Sequence, residues 1–159
     1  MLKNIGSTTN INNIDENCIQ PNAVDLKIDK VWEITDGEFY LGIDSKRHRK
    51  GKVILPVLGE FHLESGKSYQ FETPHFVHIP FGHAGWLIAR STLNRNGIFI
   101  TSGLYDSGFQ NYVGGVMHVN GGPARIQHGA RVAQFIYVEA ETASMYDGDY
   151  NANPNPVGH

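Results

Sequence analysis

Apolar residues along this chain come in short runs that alternate with polar ones and hardly ever recur every three or four positions. Residues 23–28 alternate in this way and predict a strand, and 31–34, 39–43, 52–57, 61–63, 68–71, 76–80, 85–90, 97–101, 116–119 and 131–138 continue the series. The runs are rich in β-branched and aromatic side chains, and Gly, Pro and Asn stand between them, as in the turn at 64–67. One helical turn is expected, at 91–96, and no long segment keeps a helical period, so an α/β fold is set aside. The pattern predicts an all-β sandwich or barrel. With no internal repeat and no linker, 1–159 reads as one domain. It has an irregular Asn-, Ser- and Thr-rich start over 1–17 and a polar tail over 141–159, expected to be mobile when nothing is bound.

Composition narrows the partners. A chain of 159 residues can bury its own core, and a net charge of -3 with a pI near 6.2 leaves no electrostatic footprint for nucleic acid. The basic run 46–50, with Lys52, reads as a solvated loop. Cys18 is the single cysteine and fits a reducing interior. No apolar run approaches the ~20 residues of a membrane span, and the N-terminus lacks the apolar core of a secretory signal. A soluble, cytoplasmic protein with no membrane partner is the expectation. The eight histidines form no metal-binding spacing, so no dedicated protein metal site is expected.

The chemistry concentrates in 86–115. Arg90, Ser91, Thr92 and Arg95 form a compact set of guanidinium and hydroxyl donors, matched to phosphate oxygens. Asp106 follows at the mouth of a Gly- and aromatic-rich hairpin. An anion clamp beside one water-orienting acid is the equipment for hydrolysing a nucleotide polyphosphate.

Arg90-Ser91-Thr92-Leu93-Asn94-Arg95 resembles the RSSLxR motif of the dCTP deaminase and dUTPase superfamily, and further blocks fall in that superfamily's order. Residues 19–26, IQPNAVDL, resemble the IQPxSxDL of deaminases and the AGxDL of dUTPases. Ile79-Pro80 with 83–86 resembles the approach to the Arg, and 103–109, GLYDSGF, resembles xIDxGY of dUTPases and xxDPGW of deaminases. Residues 128–135, HGARVAQF, resemble GxRIAQL, and 146–151, YDGDYN, resemble the YxGKYQ tail of deaminases.

The resemblance implies a β-clip (distorted jelly-roll) subunit in a homotrimer, with sites between subunits closed by the C-terminal tail. The substrate would be a deoxynucleoside triphosphate, with Mg²⁺ carried on its phosphates rather than in a protein cage. It further implies that Asp106 holds the attacking water and that the ring of Phe109 stacks on the deoxyribose. Asp25 would orient the sugar or its neighbours. Gln134 and Arg131 would serve phosphate or inter-subunit contacts, and Tyr150 and Asn151 would belong to the closing tail.

The deaminase branch needs a carboxylate on the strand after the DPGW segment, to activate water at the cytosine ring. Residues 115–118 hold none, and no Asp or Glu occurs between Asp106 and Glu139. His118 is the first candidate to replace it. The tail has Asp149 where deaminases have Lys. The reading adopted is dUTP hydrolysis to dUMP and pyrophosphate, with the base read in the hairpin after Asp106. The alternatives are a dCTP deaminase or dCTP-hydrolysing enzyme, and a catalytically silent nucleotide-binding regulatory trimer.

Overall fold

The computed structural model describes residues 10–151. In chain order it builds β1 (Val24–Lys27), β2 (Lys30–Ile34), β3 (Tyr40–Leu41), β4 (Lys46–Arg47), β5 (Gly51–Ile54), β6 (Glu60–Leu63), β7 (Lys67–His78) and β8 (His83–Ala89). The single-turn helix α1 (Ser91–Arg95) is followed by β9 (Ile98–Thr101), β10 (Gln110–Val119), β11 (Ala124–Gln127) and β12 (Arg131–Glu139). The strands form a five-stranded sheet in the order β5-β2-β7-β10-β9 and a three-stranded sheet in the order β1-β12-β8. The pairs β11-β6 and β3-β4 complete an all-β architecture, as the alternating pattern predicts.

The core follows from that alternation. On β7, Tyr69, Phe71, Thr73, His75 and Val77 are buried in strict period two, and on β12 Phe135 and Tyr137 continue the same rule. Their partners include Leu26, Ile28, Phe61, Met117 and Val119. At about 25 cal/mol per Å² of apolar surface, each such side chain contributes ~1.5–3 kcal/mol.

Two strands are longer than the local pattern suggests. Pro74, which has no N–H to give a ladder, should end a strand, yet β7 runs straight through it. The register between β10 and β7 shifts between Tyr112 and Gly114, where Thr73, Pro74 and His75 face Val113 alone, so the proline lies within a bulge of β7, and the hydroxyl of Thr73 donates to the carbonyl of Val113 at 2.8 Å instead. β10 likewise begins at Gln110, well before the Val116 at which periodicity places its start, and β11 carries no clear sequence signal.

Other departures are local. Residues 39–43 shrink to the two-residue β3, and the basic run 46–50 is ion-paired rather than a free loop: Arg47 meets Glu38 and Lys46 meets Asp149. Within the start expected to be irregular, Ile11 is buried and bridges Val77, and Glu16–Cys18 forms a 3-10 turn. Residues 1–9 and 152–159 lie outside the described residues. No helix among the described residues is long and apolar enough to cross a membrane.

Candidate functional site

β8 carries chemistry at both of its ends. Its final residue is followed by Arg90, while Gly85, near its start, exchanges two backbone hydrogen bonds with Tyr105, the residue before Asp106. At ~3.3 Å per strand residue, Gly85 and Arg90 lie roughly 16 Å apart. The backbone thus carries the arginine cluster and the acid at opposite ends of β8.

At the arginine end, Asp25 sits on β1 directly opposite Gln134 on β12. Its carboxylate has 0% exposure and is enclosed by donors: Arg90 Nε at 3.2 Å, Arg131 Nη1 at 3.2 Å and Gln134 Nε2 at 3.1 Å. A buried carboxylate is tolerated only when its lone pairs are met in this way. Arg131 also donates to the carbonyl of Asn17 at 2.8 Å, and Arg90 to that of Arg131 at 3.4 Å. The two guanidinium side chains keep about a third of their surface, 31% and 34%, open to solvent. Ser91, Thr92 and Arg95 lie exposed on α1 beside them.

Of the two targets expected for Asp25, the sugar or its neighbours, the contacts seen are with its neighbours, the two arginines and Gln134. Gln134 is committed to the same network.

At the acid end, Asp106 is exposed on a turn and lines a cavity of about 420 Å³ with His83, Leu104, Glu141 and Tyr146. Ser107 fixes the turn: its hydroxyl donates to the carbonyl of His83 at 2.6 Å, accepts from the His83 N–H at 3.3 Å and meets the Thr142 hydroxyl at 2.8 Å. Gly108, at φ +91°, supplies the left-handed residue that the turn requires. Phe109 is 6% exposed, its ring between Tyr105 at 4.8 Å and Tyr146 at 6.0 Å. The face expected to stack a sugar is therefore covered here by the tail.

The tail over 141–151, expected to be mobile when nothing is bound, has specific partners in the structure. Tyr146 N–H donates to Ser107 O at 2.6 Å, Asn111 Nδ2 to Tyr150 O at 3.0 Å, and Gln110 N–H to Asn151 Oδ1 at 2.8 Å. Asp149 turns away from the cavity to Lys46 on β4, at 2.9 Å, and the same ammonium stands 5.6 Å from the Tyr150 ring centroid. Lys46 holds the Asp149 carboxyl below its ordinary range.

Between the two ends runs an open strand edge. β9 pairs β10 only from Val116 to Val119, so ahead of Val116 that edge has no strand beside it. Alternate residues face it, and side chains satisfy their backbone groups. Asn151 takes the N–H of Gln110, and Asn111 Oδ1 takes that of Tyr112 at 2.8 Å. The Tyr105 hydroxyl accepts from Gly114 N–H at 3.2 Å and donates to Gly114 O at 2.6 Å. These contacts of Tyr105, and that of Lys46 with Asp149, leave no local signal in the sequence beyond an aromatic residue directly before the acid.

His118, the candidate for the missing deaminase carboxylate, is engaged on both nitrogens, Nδ1 with Ser68 Oγ at 2.9 Å and Nε2 with Thr101 Oγ1 at 3.3 Å. It ties β7, β9 and β10 together. Among the described residues no three carboxylate, imidazole or thiol groups converge as a metal cage.

Comparison with known proteins agrees with this geometry. A family model described as dCTP deaminase-like matches residues 2–140. A protein of Methanopyrus kandleri named probable deoxyuridine 5'-triphosphate nucleotidohydrolase is 36% identical over 139 residues, covering 86% of this chain and 90% of that one. A protein of the same name from Aeropyrum pernix is 34% identical over 135 residues, 83% of this chain and 84% of its own. Among solved structures, the 2'-deoxycytidine 5'-triphosphate deaminase of Agrobacterium tumefaciens shares the fold at a TM-score of 0.65 and 15% identity, over 84% of this chain and 44% of that chain. With a family model spanning most of its length and relatives above 30% identity over more than four-fifths of it, the chain belongs to the dCTP deaminase-like family.

Proposed function

We propose that this protein is a dUTP diphosphatase, hydrolysing dUTP to dUMP and pyrophosphate. The observation that carries the reading is the pairing of an exposed, cavity-lining Asp106 with β10 residues that offer no acid for ring chemistry. The names of its archaeal relatives support the same substrate.

Arg90 and Arg131, held by Asp25, grip phosphate oxygens, with Ser91, Thr92 and Arg95 adding donors from α1. Asp106 accepts a hydrogen bond from water and orients it toward the α-phosphorus; the P–O bond to pyrophosphate breaks as the new P–O bond forms. Phe109 meets the sugar once Tyr146 withdraws, and the base is read along the open edge of β10. Tyr150 and Asn151 close over the bound nucleotide. Mg²⁺ carried on the triphosphate supplies charge neutralisation. The fit is to a metal that arrives with its substrate, because the cavity offers it the exposed carboxylates of Asp106 and Glu141 and the described residues form no cage of three ligands.

Because Arg90 and Asp106 lie at opposite ends of β8, the complete site joins the arginine end of one copy to the acid end of another, in a homotrimer. In this reading 1–159 acts as one domain whose tail, 141–159, serves as the cover.

The deciding experiment incubates the protein with dUTP and dCTP side by side in Mg²⁺ and follows pyrophosphate, ammonia and base identity. Pyrophosphate and dUMP from dUTP are expected. Ammonia from dCTP would replace this reading with a deaminase, and binding of both without product would replace it with a silent regulatory trimer.

A further inference from the structure

Between β5 and β6 the chain reverses over 57–60, where Val57 and Glu60 exchange backbone hydrogen bonds of 2.8 and 3.0 Å. Both central residues take a left-handed conformation, Leu58 at φ +51° and Gly59 at φ +79°. That is the type I′ geometry, which Asn-Gly enters readily and a bulky side chain enters only at a cost. Contacts within its own chain do not offset that cost, because Leu58 is 99% exposed. Leu55 and Val57 beside it are exposed as well, so an apolar knob projects from a strained turn. Strain kept for a leucine that its own chain leaves bare points to a contact with another molecule.

The knob belongs to the arginine end. Gly59 O accepts from His128 N–H at 2.8 Å, and His128 stands three residues before Arg131. Gly129 N–H donates to Ile28 O at 2.9 Å and Arg90 N–H to Val132 O at 3.1 Å, so the turn, the end of β1 and the start of β12 form one block with both arginines. The acid end is its complement. The cavity beside Asp106 is lined by two carboxylates, Asp106 and Glu141, and by no lysine or arginine, and the exposed Leu104 and Met145 form part of its wall. One end thus offers open guanidinium surface and a bare apolar knob, the other open carboxylates and a bare apolar wall.

We propose that the knob at 55–58 docks on a second copy of this chain, against Leu104 and Met145, and so carries Arg90 and Arg131 to the neighbouring Asp106. The inference rests on the reading above in which copies share one site. Burying Leu58 in that contact offsets the cost of its backbone, and the acidic cavity receives the cations that it lacks. Knob and receiving wall lie on different surfaces of the same chain, so the contact is head-to-tail and repeats around a closed ring. A separated chain keeps both halves and has no complete site.

The test is Leu58→Asn, which removes the knob and supplies the residue pair that the turn favours. Mass and dUTP turnover are measured as the protein is diluted. The variant should dissociate at a protein concentration at least about tenfold higher than the wild type, the least that exposing one leucine at each contact implies. Turnover per chain should fall at the same dilution, while the separated variant chain resists denaturant at least as well as the separated wild-type chain. Leu58→Met, which keeps an apolar knob, should assemble like the wild type. A second measurement locates the contact: Leu58→Cys and Leu104→Cys chains, whose one other cysteine is the buried Cys18, are refolded together and treated with a short bismaleimide. A covalent pair is expected from the mixture and from neither variant alone.

If Leu58→Asn assembles and turns over as the wild type does, or weakens only the separated chain, 57–60 is a surface turn and the proposal fails. No covalent pair from the mixture, or an equal yield from Leu58→Cys alone, overturns it too. A wild type that hydrolyses dUTP as a monomer at every concentration overturns the shared site and the docking together. A wild type that assembles without hydrolysing dUTP overturns only the substrate, and the dilution and cross-linking measurements still decide the knob.

Discussion

At one end of β8 the charges are locked, and at the other the charge is loose and the cover is locked. Asp25 has no exposed surface, and every contact that it makes fixes an arginine or Gln134 on the ends of paired strands. Asp106 stands exposed on a turn, and what is held in place there is the tail, through Tyr146, Tyr150 and Asn151. The difference matches two tasks. Gripping a polyanion rewards donors oriented in advance, because little ordering remains for the moment of binding. Orienting a water needs an acid that substrate can reach, under a cover able to leave and return.

The comparison breaks most sharply at its two polar extremes. Asp106→Asn keeps the shape of the turn and removes the charge; turnover of dUTP is expected to fall at least ~100-fold, the usual size of a positioned acid–base contribution, with nucleotide affinity kept. Arg90→Ala should be as inactive through lost phosphate grip. If the two ends serve one site from different copies, mixing and refolding these two inactive variants together restores turnover. Activity that does not return on mixing would place both groups in one copy and sink the shared site.

Next in size is the buried carboxylate itself. Asp25→Ala leaves Arg90 and Arg131 facing each other without their common acceptor. Stability should drop by about 3 kcal/mol, the low end of the range for a broken buried pair, since both guanidiniums still reach water. KM for dUTP should rise more than kcat falls. A variant of wild-type stability would mean that the arginines are oriented by Asn17 and the backbone alone.

The arginine end was legible in the sequence because its members share one motif and neighbouring strands; what could not be read was depth. Nothing local in the sequence marks the depth of Asp25, and only its burial, with β1 paired to β12, shows that its carboxylate is enclosed and meets Gln134. The acid end was harder. The hairpin after Asp106 was plain, but Asn111 and the glycines at 114 and 115 obscured the first half of β10, since strand propensity there is poor and its carbonyls at 113 and 114 are met by Thr73 and Tyr105, which lie elsewhere in the sequence. The contacts of the tail could not be read for a related reason: its partners lie on β4 and β10, far away in the sequence, where no local pattern encodes them.

A titration sharpens the contrast at moderate size. His75 is 1% exposed and joins the two segments that flank the Asp25 network: Nδ1–H donates to Asn12 O, and Nε2 accepts from Lys27 N–H, both at 3.2 Å. Burial lowers its pKa below the usual 6.5, and the charges facing it are Lys27 and Asp15. A depressed pKa means that the folded state holds the ring neutral. Its contribution is fully present above pH 6.5 and is lost as the pH falls from there through the lowered value. Thermal melts from pH 7.5 to 5 should show this loss in the wild type and a flatter profile in His75→Gln. Equal slopes would remove His75 as the source.

The smallest effect belongs to the cover. Lys46 and Asp149 form their ion pair on the surface, so the pair is screened by salt and adds little to global stability. Lys46→Ala should leave the melting temperature unchanged yet speed amide exchange over 146–151, because the tail loses its tether to β4 while Tyr146 still rests on Phe109. Raising the salt to ~1 M, where the Debye length is about 3 Å, should bring wild-type exchange to the variant's rate. The same salt should affect the Asp25 network far less, because its carboxylate has no exposed surface and only the outer parts of its arginines meet the ions. If salt loosened both ends alike, the distinction between locked charges and a locked cover would not hold. If it loosened only the tail, Lys46 would be the point at which ionic conditions govern access to Asp106.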